Sequence, residues 1–408
     1  MNIYKSSQKI IFSQIIDRII FFNICLYFVI IFLSKMEAIK NILIFSSFIL
    51  WIFSLKNLDL SFMKCRTAIL ALIFIIIIFV SIFFSYDYHY TLNELKGEPL
   101  KSLLLLPVVA TSFRSISRIR VLLYLSLLTL IIMLSFGGYS FFIEGKKVFT
   151  SSIELLDANP NRFVLYLNSY LPFCFTLFLL TKDRYSKLIL ILIFIFYITS
   201  LFLNTSREGI AGFIAICIIW MVYLSKKGYD IKKTVLILIL ISFLIFLLSL
   251  NFSSYVKERV SKTPEHFKTL NLRIPTWQSG IKAWAERPIT GWGWGDKLFK
   301  DERIYKQINE IPPKYGPHNK FLAVLFHTGI IGLISYLFLL ISSIHTSIKN
   351  GFLLKGEISL FFISLSSGLI GNYVIHSLFS SSPQLTWLYF LLGLTIANSR
   401  LTDANSNN

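Results

Sequence analysis

The sequence predicts an all-α, polytopic membrane protein of about twelve transmembrane helices with one large loop outside the bilayer. Three observations predict it. Of 408 residues, 55% are hydrophobic and only 15% charged, more apolar surface than a soluble domain can cover. The apolar residues form repeated runs close to the ~20 residues that cross a bilayer as helix. A single long polar stretch, about 253–317, interrupts them. Leu and Ile dominate the runs, and the alternating ten-residue pattern of a porin-type barrel is missing.

In chain order the spans fall near 19–33, 41–55, 67–85, 100–112, 121–141, 161–180, 187–203, 207–224, 234–252, 318–344, 358–379 and 384–399. The fourth is short and holds Pro107. The first has no small-residue cleavage site after it and reads as a retained span. An even count puts both termini on one side. Lys5, Lys9, Arg18, Arg114, Arg118, Arg120, Lys226, Lys227, Lys232 and Lys233 gather on that side, with fewer basic residues in the short loops opposite. This is the positive-inside pattern, and it places the termini in the cytoplasm and residues 253–317 outside it, inserted between spans nine and ten. It also accounts for the net charge of +19 without nucleic acid as a partner. Cys25, Cys65, Cys174 and Cys217 lie in or beside spans with no CxxC, as apolar fillers. The chain shows no internal repeat, no low-complexity segment and no separate soluble domain; residues 1–408 read as one integral membrane domain.

Within the loop, Pro275–Glu286 is expected to be a short helix, since Pro275 suits a first turn. Trp277, Ile281 and Trp284 recur at helical spacing, an apolar face suited to the lipid interface. The run Gly291-Trp292-Gly293-Trp294-Gly295 cannot be regular helix, and its tryptophans suit the interfacial belt.

Three residues carry the chemistry. Arg207 follows Ser206, an N-cap residue type, so it opens a span from the outer side, where both the helix dipole and the adjacent hydrocarbon disfavour a cation. An anion held there would compensate; so would an ion pair with Glu208, or snorkelling. Arg273 precedes Ile274-Pro275 and reads as a second cation beside a helix start, or as a solvated loop charge. His318 follows Pro317; with Pro317 as first helical residue it lies in a first turn, where the dipole lowers its pKa and leaves the neutral imidazole a general base needs. A capping or interfacial histidine is the plainer reading. Asn319 or a carboxylate could orient the ring. Arg162, after Asn159-Pro160-Asn161, is a third cation opening a span. His327 lies about half a turn round the helix from His318 and reads as structural, as do His89, His266, His345 and His376. No DxD, P-loop, HExxH or GxSxG is present, and Asp301-Glu302 is a weak metal signal, so neither a metal nor a soluble nucleotide is expected. Helix N-termini with two guanidiniums suit a diphosphate.

These residues resemble the bacterial O-antigen ligases, whose C-terminal signature is shared with O-antigen polymerases. The resemblance rests on Thr205-Ser206-Arg207, Arg273-xxx-Trp277-xx-Gly280, Pro288-xx-Gly291-x-Gly293, His318-Asn319 with Leu322, and Gly329-xx-Gly332. It implies a GT-C-like, twelve-helix inner-membrane glycosyltransferase with a periplasmic loop. Such an enzyme moves O-antigen from undecaprenyl diphosphate to lipid A–core, inverting the anomeric centre, with no metal or other cofactor. Arg207 and Arg273 would bind the diphosphate and His318 would be the base, with Arg162, Trp277 and Asn319 as further substrate-binding candidates. Membrane lipid, and contact with a polymerase or chain-length regulator, complete the expected partners. A polymerase would use the same donor but a second lipid-linked glycan as acceptor. A transporter would carry ionisable residues within its spans, and here they cluster at one face.

Overall fold

The computed structural model describes residues 2–55, 60–150, 159–229, 244–245, 247, 263–381 and 384–406. Among these the chain is all-helical, and nine helices are long and apolar enough to cross a membrane. They are Phe12–Ile30, Ser34–Ser54, Arg66–Phe84, Ile116–Ile143, Pro160–Leu180, Arg184–Asn204, Arg207–Lys226, Lys320–Leu353 and Gly356–Leu378. The span expected at 234–252 falls almost wholly outside the described residues.

The helices are α1 (Asn2–Ile30), α2 (Glu37–Ser54), α3 (Arg66–Val80), α4 (Tyr88–Leu95), α5 (Glu98–Ser112), α6 (Ile116–Gly138) and α7 (Pro160–Leu180). They continue with α8 (Arg184–Asn204), α9 (Arg207–Lys226), α10 (Thr263–Glu286), α11 (Glu302–Gln307), α12 (Lys320–Leu353), α13 (Gly356–Gly368) and α14 (Leu385–Ser406). A π-helical stretch, Leu369–Ile375, prolongs α13.

Two of the expected spans are shorter than a bilayer-crossing helix. α5 has 15 residues, and the apolar part of α14 is Leu385–Asn398. They pack on each other inside the bundle, where Gly393 lets the Val109 side chain approach its backbone. Leu105, Val109, Phe390 and Leu394 are fully buried there. Burial on all sides explains why these two runs look apolar without lipid-facing length.

The helix ends are set by local chemistry. Asn159, Asp183, Ser206 and Asn319 cap α7, α8, α9 and α12, each accepting a backbone N–H of the first turn. Thr205 ends α8 in the left-handed region at φ 61°, and Ser206 at once opens α9. This tight reversal puts Arg207 at the tip between two spans. We call the bundle end that carries this tip and residues 273–320 the loop side. At the other end Arg118 pairs with Asp17, Arg120 with Glu357, and Lys227 donates to the carbonyls of Phe352 and Leu354.

Residues 263–286 form one 24-residue helix with Pro275 inside it, so Pro275 does not start a short helix. The buried face of α10 is Thr276, Gly280 and Ala283, one step round from the expected apolar face. Gly280 lies against Phe299 and Leu322. Ile281, by contrast, is 48% exposed.

Candidate functional site

The site is built on an interruption of α12. Gly329 has φ 67° and ψ −168°, which opens the helix two residues past His327. The opened backbone does not go unpaired. Trp292 N–H donates to Phe326 O (2.9 Å), Gly293 N–H to His327 O (3.0 Å), and Ile330 N–H to Pro288 O (2.8 Å). The segment 288–293 thus supplies hydrogen bonds that the helix gives up. A Cβ at Gly291 would lie 2.6 Å from the Phe326 carbonyl, and one at Gly329 would lie 2.1 Å from that of Ile289. Backbone meets backbone at both positions, and both φ values are positive, so glycine is required. On its other side the run accepts Tyr86 N–H at Trp292 O (3.0 Å). Trp292 is 2% exposed, and its indole donates to Ala283 O (2.7 Å). It is a core residue of the loop, not part of an interfacial belt.

This frame carries Arg273, Glu208 and His318 to one place. Arg273 lies inside α10, three residues before buried Thr276, and so on the side of the helix that faces the bundle. It is not beside a helix start. Its guanidinium Nη2 donates to Glu208 Oε1 at 2.8 Å, with the Glu208 side chain only 7% exposed. Glu208 therefore pairs with Arg273 and not with its neighbour Arg207, the pairing that sequence adjacency suggested. Arg207 is exposed at the first position of α9, and no described residue forms an ion pair with it.

His318 is not in the first turn of α12. That helix begins at Lys320 with Asn319 as its cap, and His318 precedes the cap with φ 44°. A non-glycine residue in the left-handed region is strained by about 1–3 kcal/mol, and here its neighbours hold it. The Trp277 indole donates to Pro317 O (2.8 Å), the Asn319 amide oxygen accepts Leu322 N–H (2.9 Å), and the amide nitrogen donates to Leu378 O (3.2 Å). Trp277 and Asn319 thus lock the turn on which His318 stands. The pKa of His318 lies below the ordinary 6.5 because the ring is desolvated and because Arg273 and Lys300 oppose its positive charge, against a smaller pull from Glu208. The direction is the one expected; the causes are burial and Arg273 rather than a helix dipole.

Two histidines set aside on sequence grounds adjoin this region. His376 is fully buried, lies against the Glu208 backbone, and neither ring nitrogen has a hydrogen-bond partner. His327 is 3% exposed and lies on a separate cavity of about 240 Å³ that Arg162, Trp294, Asp296 and Lys320 also line. The rotation argument about His327 took both histidines to lie in one helix, whereas His318 precedes it; His327, on α12 itself, looks into a cavity of its own. The only signal in the sequence was the Gly-Trp repeat that roofs it. Arg162, at the third position of α7, belongs to this cavity. Among the described residues no group of three His, Cys, Asp or Glu side chains is placed to hold a metal ion.

Set against known protein families, residues 190–337 match the model described as O-antigen ligase. The match runs from α8 to the middle of α12 and includes Arg207, Arg273, the Gly-Trp run and His318. No curated protein matches the chain.

Proposed function

From the match of residues 190–337 to the O-antigen ligase model, we propose that this chain belongs to that family and transfers O-antigen polysaccharide from undecaprenyl diphosphate to a sugar hydroxyl of lipid A–core. The observation that carries the reading is the grouping of a neutral-favouring imidazole, His318, with the Arg273–Glu208 pair at the loop side.

In this scheme an acceptor hydroxyl hydrogen-bonds to His318. As its oxygen attacks the anomeric carbon, the hydroxyl proton passes to the imidazole. The bond from the anomeric carbon to the diphosphate oxygen breaks, and its electron pair leaves with the lipid diphosphate. One displacement inverts the centre; a retaining route would need a carboxylate nucleophile. The diphosphate gains charge in the transition state, and fixed guanidiniums stabilise it there. Arg207 offers a fork that no described carboxylate occupies. Arg273 gives one N–H to Glu208 and keeps the rest of its fork for phosphate. Glu208 then acts as the anchor of Arg273.

The proposed setting is the bacterial inner membrane, with the loop side in the periplasm and both termini cytoplasmic. Contact with a polymerase or chain-length regulator is part of this setting. The test is transfer by purified protein from undecaprenyl diphosphate-linked glycan to rough lipopolysaccharide, with a chelator present. Glycan on lipid A–core supports the ligase. Glycan lengthened on a second lipid diphosphate makes the protein a polymerase, and no transfer to either ends the proposal.

A further inference from the structure

The cavity beside the first two turns of α12 is separate from the His318 turn, and nothing in the scheme above uses it. Lys320, Ala323, Val324 and His327 line it from α12, at intervals of three and four residues. His318 stands two residues before this face begins, so the cavity descends from the His318 end of the helix.

His327 is oriented from behind. Its Nδ1 lies 3.0 Å from Gly293 O, and a carbonyl only accepts, so Nδ1 carries the hydrogen. In the neutral ring Nε2 then presents a lone pair. Nε2 has no hydrogen-bond partner, and Asp296 Oδ1 stands off at 3.8 Å. A nine-tenths buried ring that lines a cavity with an unpaired acceptor implies a donor from outside the chain.

The rest of the lining says which donor. Cations Arg162 and Lys320 line one small space together with carboxylates Glu94, Glu98 and Asp296. A diphosphate would meet repulsion from three carboxylates. A neutral polyol fits both signs, because each hydroxyl donates to a carboxylate and accepts from a cation. Trp294, half-buried, adds an aromatic surface whose negative face attracts the weakly positive C–H groups of a sugar ring. The volume of about 240 Å³ is below the ~300–1,000 Å³ of pockets for drug-sized ligands. It suits one pyranose ring, not an oligosaccharide.

We infer that this cavity is a saccharide subsite, holding a single pyranose ring against Trp294 with one hydroxyl donated to His327 Nε2. Its place in catalysis rests on the glycosyltransferase reading, and the ring belongs either to the acceptor core or to the donor glycan.

Calorimetry on the whole protein in nanodiscs tests it. The two probes are core oligosaccharide freed of lipid A and O-antigen oligosaccharide freed of its diphosphate. One probe should bind saturably, and its identity assigns the subsite to acceptor or donor. Trp294→Leu and His327→Gln should each weaken that binding about tenfold or more, whereas Trp294→Phe keeps most of it. In transfer assays the same two variants should raise KM for that partner and leave kcat within about threefold. Because His327 is buried, the exposed-side variants Glu94→Gln and Asp296→Asn provide the same reading without burdening the fold. Wild-type protein that binds neither probe, or Trp294→Leu and Glu94→Gln variants that bind as wild type does, overturns the subsite. Binding without transfer keeps the subsite and ends the ligase reading instead.

Discussion

At the scale of single residues, His318 depends on its surroundings more than on its own chemistry. Desolvation of the ring, and then Arg273, oppose the imidazolium more than Glu208 favours it, so the acid limb of kcat/KM should lie below pH 6.5. The sign is testable. Arg273→Gln removes a cation and should move the limb up; Glu208→Gln removes an anion and should move it down. A wild-type limb at or above 6.5, unmoved by either change, would dismiss His318 as the base. His318→Ala should cut transfer by about 10²–10⁴-fold with the protein still inserted, read as loss of the O-antigen ladder in a complemented ligase-null strain. Arg207 has a different sensitivity. Lysine keeps the charge but not the planar fork, so Arg207→Lys should lower kcat/KM by about tenfold or more, on the order of 1.4 kcal/mol. Full activity with lysine would reduce Arg207 to a point charge.

At the scale of elements, the decisive unit is the docking of 288–293 onto the open turn of α12. It fixes where α10 ends, because Trp292 ties back to Ala283, and it roofs the cavity with Trp294. Gly291→Ala or Gly329→Ala puts a methyl into a carbonyl and demands a positive φ of an alanine. Each should destabilise the protein by at least about 2 kcal/mol, measured as a lower thermal midpoint of the detergent-solubilised protein. Gly145, also at positive φ but with open space around its Cβ position, is the control that should lose less. Equal losses at Gly145 and Gly291 would mean that backbone strain, and not the close approach, is what glycine relieves.

At the scale of the whole molecule, Glu208, Arg273 and His318 lie far apart in sequence and come together because α9, α10 and the turn before α12 all present an end or a face to the loop side. The spans form the scaffold: Gly212 and Gly371 bring α9 and the π-helical stretch into backbone contact, with the carbonyl of each near 3 Å from where a Cβ of the other would stand. That π-helical stretch leads directly to His376 beneath Glu208. The proposed orientation has its own measurement. In a variant with Cys25, Cys65, Cys174 and Cys217 replaced by serine, Lys314→Cys should react with a membrane-impermeant maleimide from the periplasm. Lys227→Cys should react only after the inner membrane is opened. The reverse pattern would invert the topology and remove the periplasmic site.

The sequence by itself determined the class of the molecule and the identity of its candidate groups. Long apolar runs can be satisfied only by helices in lipid, so the spans were legible, as was the cap at Ser206; the cap at Asn319 was not, because Pro317 looked like the helix start. Arg207, Arg273 and His318 stood out because charge is rare in such a chain. What the tertiary structure alone decided was partnership. Glu208 adjoins Arg207 in sequence yet pairs with Arg273, because the buried face of α10 delivers that guanidinium across the bundle end. His327 looked idle because helical periodicity describes one helix only. The cavity it faces exists because a glycine-rich segment from another part of the chain replaced the hydrogen bonds that α12 surrendered at Gly329. Periodicity and capping are local and can be read along the chain; pairing across elements depends on where separate segments come to lie, and that is settled only when they pack.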